Sequence, residues 1–358
     1  MKIVSFLFLI GLLAVLTGCG GSAPPVGWAK PVISGGTLYI GSTGGRVYAL
    51  DPSTGAKKWQ FPAENKSVGV LYASPIVADG FVLVGSDDKQ LYVLKSDSGE
   101  KVCQFGTGDA IIATPAYADG VIYVSSSDGM LYAVDPDQRN DKGQCGKKWE
   151  FAAKSKIWAE PLIVGDNIYI ASLDHHLYAL NRQTRALLWD FEAGGAIASS
   201  PRAGDGLIYF GAFDTKVYAV NAQTGQKVWE FATGNWVWAD PLVLADRVIV
   251  GSLDNNVYAL DAKTGAQKWV FATGAGVRAA ATGKEGIIFV GSEDHKLYAL
   301  NVSDGTKVWD TPFDAGDRIL ASPTLINGTV IVQNTNHKLF ALDAANKKEK
   351  WPPFEADK

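Results

Sequence analysis

The sequence lacks the marks of a nucleic-acid-binding protein, a helical protein or a common enzyme. Its 33 lysines and arginines are outnumbered by 37 aspartates and glutamates, giving a formal net charge of −4. Nucleic-acid binding needs a basic footprint, so the charge balance argues against it. No Ser-His-Asp arrangement, glycine-rich phosphate loop or zinc-ligand spacing is present. After the N-terminal apolar run, no stretch shows a sustained helical period, which leaves an all-β fold as the prediction.

Aromatic residues, by contrast, recur at a nearly fixed step. One tryptophan closes every unit except the second, where Cys103 takes its position; these residues are Trp59, Trp149, Trp189, Trp229, Trp269, Trp309 and Trp351. We call this position the Trp slot. In all but the third unit, which an insertion lengthens, a tyrosine or phenylalanine stands eleven residues earlier. From Trp149 to Trp309 the step is 40 residues, and a period of this size predicts a repeat architecture.

Each unit reads as four short strands joined by tight turns. In the fifth unit the apolar or alternating runs are 198–201, 205–211, 214–221 and 224–231, bounded by Pro, Gly, Asp and Asn. Gly206 and Gly225 suit turn positions with positive φ, and Asp214 suits an Asx turn. Eight such units predict an eight-bladed β-propeller of four-stranded antiparallel blades over residues 28–358, with a solenoid as the alternative.

The recurring tryptophans are interpreted as structural. A buried Trp side chain covers roughly 150–250 Å² and so contributes on the order of 4–6 kcal/mol. One such ring in each unit would dock neighbouring blades together. A ligand-binding role is the less favoured interpretation.

The N-terminus has the pattern of an exported lipoprotein. Met1-Lys2 is followed by an apolar run to Leu16, which is short for a transmembrane helix. The run ends in Leu16-Thr17-Gly18-Cys19, which resembles a bacterial lipobox. We therefore predict a signal peptide over 1–18 and a lipidated Cys19 followed by a flexible linker to residue 27. An ordinary secreted protein is the alternative. The prediction places the protein on a membrane facing the periplasm or exterior, the outer one if the organism has two.

Two cysteines remain after lipidation. Cys103 occupies the Trp slot of the second unit, and Cys145 lies in the insertion of the third. Disulfides persist in exported compartments, and adjacent blades would bring the two residues together. A disulfide is favoured, with two free thiols as the alternative.

The repeats resemble the pyrroloquinoline-quinone-type propeller repeat. A clear instance is Tyr258-Ala-Leu-Asp261, followed by Thr264-Gly265 and then Trp269. One branch of this family consists of quinone-dependent alcohol and sugar dehydrogenases, which are longer and carry adjacent cysteines. The other is the non-catalytic propeller lipoprotein of the outer-membrane β-barrel assembly (BAM) complex, which binds a partner and no cofactor. A lipobox followed directly by eight units, with no Cys-Cys pair, is more similar to the second branch.

The histidines and the recurring aspartates are interpreted as turn residues. Three histidines directly follow a turn Asp or Asn, and the fourth follows one of these histidines. The four are His175, His176, His295 and His337. Similar aspartates recur in six separate units: Asp88, Asp128, Asp174, Asp214, Asp254 and Asp294. A catalytic acid is needed once, so the repetition argues against catalysis. No metal site is predicted.

Residues that break the repeat are the candidate functional residues. The entry to the first strand, which is usually innermost in a propeller, varies from unit to unit. Residues two apart in a strand share a side, so these entries should surround one mouth of the central channel. The predicted rim consists of Trp28, Tyr72, Trp158, Glu160, Trp236, Trp238, Asp240, Arg278 and Arg318. Aromatic residues and arginine are enriched at binding hot spots. Packing against the next blade is the alternative, and the same group could form an aromatic floor for a quinone.

These patterns together predict a monomeric, membrane-anchored, non-catalytic propeller. Its partner would be an envelope protein, such as a β-barrel assembly component, and it would need no cofactor. A dehydrogenase using pyrroloquinoline quinone and Ca²⁺ is the second hypothesis. A sensor or polysaccharide-binding propeller is the third.

Overall fold

The protein is an eight-bladed β-propeller, as the repeats predict. The computed structural model describes residues 29–64, 66–284 and 286–357. These form thirty-two strands in eight four-stranded antiparallel sheets, each built from four consecutive strands in chain order. No helix long and apolar enough to cross a membrane occurs in the described residues. The predicted signal peptide, the lipidation site Cys19, the linker and Trp28 lie outside them.

The blades are numbered along the chain. Blades 1 and 2 contain β1 Val32–Ser34, β2 Thr37–Gly41, β3 Val47–Leu50, β4 Lys57–Phe61, β5 Ile76–Ala78, β6 Phe81–Gly85, β7 Gln90–Lys95 and β8 Lys101–Gly106. Blades 3 and 4 contain β9 Ala116–Ala118, β10 Val121–Ser125, β11 Met130–Arg139, β12 Cys145–Ala152, β13 Leu162–Val164, β14 Asn167–Ala171, β15 His176–Asn181 and β16 Leu187–Glu192.

The second half of the ring repeats this pattern. Blades 5 and 6 contain β17 Arg202–Gly204, β18 Leu207–Gly211, β19 Lys216–Asn221, β20 Lys227–Ala232, β21 Leu242–Leu244, β22 Arg247–Gly251, β23 Asn256–Asp261 and β24 Gln267–Ala272. Blades 7 and 8 contain β25 Thr282–Lys284, β26 Ile287–Gly291, β27 Lys296–Asn301, β28 Phe313–Asp314, β29 Thr324–Ile326, β30 Thr329–Gln333, β31 Lys338–Asp343 and β32 Glu349–Glu355.

Turn chemistry within a blade follows the sequence pattern. Gly206 and Gly225 have φ values of 77° and 69°, as predicted. The Asp214 carboxylate accepts a hydrogen bond from the Lys216 N–H at 3.2 Å, which closes the predicted Asx turn. In the next blade the equivalent Asp254 also accepts the Tyr258 hydroxyl at 2.7 Å. Burial, and then this hydrogen bond, raise the pKa of Tyr258 to about 12, so the phenol remains a donor. The recurring aspartates are therefore structural.

The hydrophobic core lies between the blades. The buried residues form eight clusters, and each cluster combines two neighbouring blades. We call each such interface a seam. The last seam joins blade 8 to blade 1, where Trp351 and Leu339 pack with Leu38 and Ile40. A blade thus buries both of its faces only by having neighbours, as in other repeat proteins.

The Trp-slot residues dock the seams. The Trp229 indole N–H donates to the Ala262 carbonyl of blade 6 at 2.9 Å, and the Trp269 N–H donates to the Val302 carbonyl of blade 7 at 2.9 Å. The Trp229 ring also covers Gly265, where an added Cβ would lie 2.7 Å from the ring carbon Cδ2. Gly265 has φ +72°, so both the backbone conformation and the close ring favour glycine there.

Candidate functional site

A cavity of about 640 Å³ lies at the centre of the ring. Residues at the start of the first strand of all eight blades line it. First strands of neighbouring blades contact one another in most of the ring, for example β13 with β9 and β17, as innermost strands of a propeller do. A cavity of this volume is within the range of ligand pockets, about 300–1,000 Å³.

The structure brings most of the predicted rim together in this cavity. Tyr72, Trp158, Glu160, Trp238, Asp240 and Arg278 all line it. Trp236 and Arg318 are exposed and lie outside the cavity lining. Trp28 lies outside the described residues.

Four aromatic side chains form a continuous row from the cavity to the exposed surface. The ring centroids of Trp158 and Trp238 are 6.2 Å apart, at an interplanar angle of 27°. Phe213 lies 5.0 Å from Trp238 and stacks on Trp236 at 4.7 Å and 14°. We call Trp158, Phe213, Trp236 and Trp238 the aromatic sector. Trp236, at its outer end, is 46% exposed, so the row presents apolar area to solvent.

Arg278 extends the aromatic sector into blade 7. Its guanidinium carbon lies 5.1 Å from the centre of the Trp238 ring, which is a cation–π geometry. The Arg278 Nε donates to the Glu293 carboxylate, which fixes the guanidinium plane. Trp158 is oriented in a similar way, because its indole N–H donates to the Ser127 hydroxyl at 3.2 Å.

Two copies of one short motif meet around an arginine in the cavity. Trp158-Ala-Glu160 in blade 4 and Trp238-Ala-Asp240 in blade 6 each place a carboxylate two residues after the tryptophan. Arg202 of blade 5 lies between them, with its Nη2 atom 2.8 Å from both Glu160 Oε2 and Asp240 Oδ2. Burial opposes the charge of Arg202, but attraction from Asp240 and Glu160 outweighs it and raises the pKa of Arg202. The two carboxylates are thus bridged rather than free.

The residue before the first-strand proline also has a structural role. In blades 2, 3, 5, 6 and 8 its side chain accepts a hydrogen bond from the matching backbone N–H of the preceding blade. The Ser200 N–H donates to Asp240 Oδ1 at 2.6 Å, and the Glu160 N–H donates to the Ser200 hydroxyl at 3.1 Å. Asp240 therefore both holds the ring of inner strands together and pairs with Arg202. The packing interpretation of the rim applies to this position. The position two residues earlier, which holds Trp158 and Trp238, presents the variable surface.

Sequence reasoning missed Arg202, Phe213 and Glu293. A signal was present for each, because all three break the repeat at positions other than the strand entry. Arg202 is the charged residue in a position that elsewhere holds Val32, Ile76, Ala116, Leu162, Leu242, Thr282 and Thr324. Phe213 and Glu293 occupy the equally variable position before the turn aspartate.

Cys103 and Cys145 are joined by a disulfide in the structure, with their Cα atoms 5.5 Å apart. The bond connects blade 2 to the lengthened hairpin of blade 3. Beside it, the Gln104 N–H donates to the Gly143 carbonyl at 3.0 Å. The hairpin therefore lies against the outer strand of blade 2 and covers part of its edge.

Three histidines lie in turns and the fourth begins a strand. His175, His295 and His337 have φ values of 77°, 74° and 63° in equivalent turns. His176 instead starts β15 and is partly buried, with its Nδ1 atom 2.9 Å from Asp190 Oδ2. Within the described residues, no group of three or more His, Cys, Asp or Glu side chains is placed to hold a metal ion.

Comparison with known proteins agrees with this architecture. No curated protein sequence matches the chain. The crystal structure of BamB from Moraxella catarrhalis superposes with a TM-score of 0.73, at 19% identity over 87% of this chain and 93% of that chain. A computationally designed protein, Ika8, superposes with a TM-score of 0.75, at 15% identity over 87% of this chain and 95% of that chain.

At these identities the superpositions show the fold alone. The family model described as outer membrane protein assembly factor BamB matches residues 20–172, 107–203, 174–280 and 271–358. Because these stretches together span nearly the whole sequence, the chain belongs to the family of the outer membrane protein assembly factor BamB.

Proposed function

We propose that this propeller is a non-catalytic scaffold of outer-membrane assembly that binds a protein partner at the mouth of its central channel. Membership of a family named for an outer membrane protein assembly factor supports the assembly role. The lipobox ending in Cys19 supports attachment to an envelope membrane through a lipid. The glycine- and proline-containing linker up to residue 27 would hold the monomeric propeller close to the membrane surface.

The observation that carries the proposal is the aromatic sector with Arg278 beside it. Exposed aromatic side chains with an adjacent arginine are the groups that dominate the energetics of protein interfaces. Trp236 is the side chain most accessible to a partner, and the Phe213 ring stacks on it with the ring centroids 4.7 Å apart. Because Glu293 and Ser127 hold Arg278 and Trp158 in place, little side-chain entropy would be lost on binding.

The cavity fits pyrroloquinoline quinone with Ca²⁺ poorly. Trp238 already contacts Trp158, Phe213 and Arg278. Glu160 and Asp240, the carboxylates that would have to hold a calcium ion, are both paired with Arg202. A bound calcium ion would have to compete with Arg202 for both carboxylates. The proposal therefore includes no cofactor.

The partner test uses a double variant. Trp238→Ala combined with Arg278→Ala should abolish capture of an outer-membrane assembly component from detergent-solubilised membranes of the source organism, scored by cross-linking and mass spectrometry. The thermal midpoint should stay within a few degrees of the wild type, since both residues lie at the channel mouth. Val270→Ala, which truncates an exposed side chain on the outer strand of blade 6, is the matched control. Undiminished capture by the double variant would refute the proposal.

The cofactor test is a titration of purified protein with pyrroloquinoline quinone and Ca²⁺. We expect neither saturable quenching of tryptophan fluorescence nor dye reduction in the presence of alcohols or sugars. Stoichiometric quinone binding or turnover would replace the scaffold interpretation with the dehydrogenase interpretation.

A further inference from the structure

We infer that the outer edge of blade 4 accepts an extended basic segment of a partner protein as an added β-strand. The strand concerned, β16 (Leu187–Glu192), is the fourth and outermost in its sheet. An outermost strand points every second backbone N–H and C=O away from its sheet, which makes it a template for another strand. This surface is on the outside of the ring, apart from the cavity-lining strands and the aromatic sector.

Comparison with the other blades shows that β16 is unusual. Natural proteins protect sheet edges with lysine, proline or a covering segment. At the two positions before the Trp slot, each of the other seven units has at least one lysine: Lys57 and Lys58, Lys101, Lys147 and Lys148, Lys227, Lys268, Lys307, and Lys350. Blade 4 has Leu187 and Leu188, and these side chains are 50% and 47% exposed. The usual protection is thus replaced by apolar surface.

Other outer strands carry further protection that β16 lacks. The hairpin of blade 3 lies against β8, where the Gln104 N–H donates to the Gly143 carbonyl. Blade 8 has Pro352 and Pro353 within β32. The sequence of β16 contains no proline. Its edge therefore combines exposed leucines with a proline-free backbone, which has one bulge at Leu188 between the pairs Trp189–Ala179 and Leu187–Leu180.

The charges on β16 indicate which segment fits. In blades 3 and 5 a lysine pairs with a glutamate three residues later on the outer strand, as in Lys147–Glu150 and Lys227–Glu230, both at 2.7 Å. In blade 4 the same two positions hold Leu187 and Asp190. The Asp190 side chain is 46% exposed and has only a histidine, His176, where its counterparts have a lysine.

Glu192, two residues further on, is also exposed. A fitting strand would place apolar residues opposite the leucines and a lysine or arginine opposite each of these two carboxylates. A second copy of this chain does not meet that requirement. In a symmetric antiparallel pair centred on Trp189 and Asp190, Glu192 would face Leu187, so a carboxylate would meet a leucine.

The test uses a defined peptide and the purified full-length mature protein. The probe is fluorescein-labelled Lys-Val-Lys-Val-Val-Val-Thr. In antiparallel register its lysines would lie opposite Glu192 and Asp190, and its fifth and sixth residues would lie opposite Leu188 and Leu187. Binding is followed by fluorescence anisotropy. Changing Leu187 and Leu188 together to lysine should weaken binding roughly tenfold, because two apolar cross-strand pairs are lost. Both positions are exposed, so thermal stability should be unchanged.

Val228→Lys is the matched control, since Val228 is the blade 5 equivalent of Leu188, is 48% exposed, and adjoins a strand edge that Lys227 already protects. It should leave binding at the wild-type level, and the peptide with glutamate in place of lysine should bind much more weakly. The inference is overturned if the wild type does not bind the basic peptide, if the double-lysine variant binds it equally well, or if the acidic peptide binds as tightly. Wild-type dimers that the same substitution abolishes would assign this edge to a second copy and also overturn it. Because none of these variants alters the aromatic sector, this inference and the proposed function fail independently.

Discussion

The seam between blades 5 and 6 and the seam between blades 8 and 1 use the same chemical groups, but in exchanged positions. In the first, the Gly234 N–H of blade 5 donates to the Asp254 carboxylate of blade 6 at 2.7 Å. The Tyr258 hydroxyl donates to the same carboxylate at 2.7 Å. In the closing seam the glycine position holds Asp357, and the aspartate position holds Gly44.

The exchanged pair restores the same bonds. The Gly44 N–H donates to Asp357 Oδ2 at 3.0 Å, and the Tyr48 hydroxyl donates to Asp357 Oδ1 at 3.1 Å. The Ser42 hydroxyl adds a third bond at 2.8 Å. Glycine is required at position 44 because a Cβ there would lie 2.3 Å from Asp357 Cγ. In these two seams the carboxylate and the N–H have exchanged blades, whereas the phenols of Tyr258 and Tyr48 occupy the same position of the unit.

The largest effect is expected from removing the Trp-slot side chain that docks one blade on the next. Trp229→Ala should lower the free energy of unfolding by roughly 3–5 kcal/mol, in the range of large core truncations, because a buried ring and its bond to the Ala262 carbonyl are lost. Chemical denaturation measures the change. Trp351→Ala should cost a similar amount if the closing seam is docked in the same way. Unchanged stability in Trp229→Ala would contradict the docking role.

In the seam between blades 2 and 3, the Trp slot holds Cys103, which forms the disulfide with Cys145. Replacing Cys103 and Cys145 by alanine should cost about 4 kcal/mol, since the bond closes a loop with a sequence separation of 42. Thermal unfolding of the two proteins gives the difference. Labelling of the native protein without reductant should find neither thiol reactive. Two reactive thiols would rule the bond out.

The exchange at the closing seam can be tested by reversing it. Asp357→Gly should cost about 2 kcal/mol, because the Gly44 N–H and the Tyr48 hydroxyl lose their acceptor in a partly buried site. Adding Gly44→Asp should recover much of this loss, since it recreates the arrangement of blades 5 and 6. Denaturation of both single variants and the double variant completes the thermodynamic cycle.

The Gly44→Asp single variant is the internal control for this cycle. It should be destabilised, because its new side chain would collide with Asp357. Additive effects of the two substitutions would show that the positions are not equivalent and would remove the basis of the comparison.

The smallest effect concerns the turn that packs against the Trp-slot ring of the preceding blade. Arg185 occupies the position of Gly225 and Gly265 and has φ 66°. Arg185→Gly should raise the free energy of unfolding by roughly 0.5 kcal/mol, as relief of the left-handed conformation exceeds the entropy cost of glycine. The reverse change, Gly265→Arg, should be strongly destabilising, because a Cβ there would lie 2.7 Å from the Trp229 ring. Differential scanning calorimetry can resolve both signs, and a loss of stability in Arg185→Gly would contradict the strain argument.

Much of the fold was predictable because each unit repeats its own local chemistry. The period of Trp149 to Trp309 gave the blades, and the positions of Gly206, Gly225 and Asp214 gave the turns. The site was predictable only in part. Trp158, Trp238 and Arg278 could be found because they vary at one position of the unit. Phe213, Glu293 and Arg202 vary at other positions of the unit, and only the folded structure shows which side chains they contact.

The sequence by itself determined the number of blades, the strands within them and the Trp-slot residue of each seam. These features depend on contacts within a unit or between successive units. Tertiary structure decided how Asp357 meets Gly44, how Arg202 bridges two carboxylates 80 residues apart, and how the blade 3 hairpin covers the edge of blade 2. These features depend on the curvature of the ring, which brings residues together across long separations. No local pattern of residues encodes that geometry.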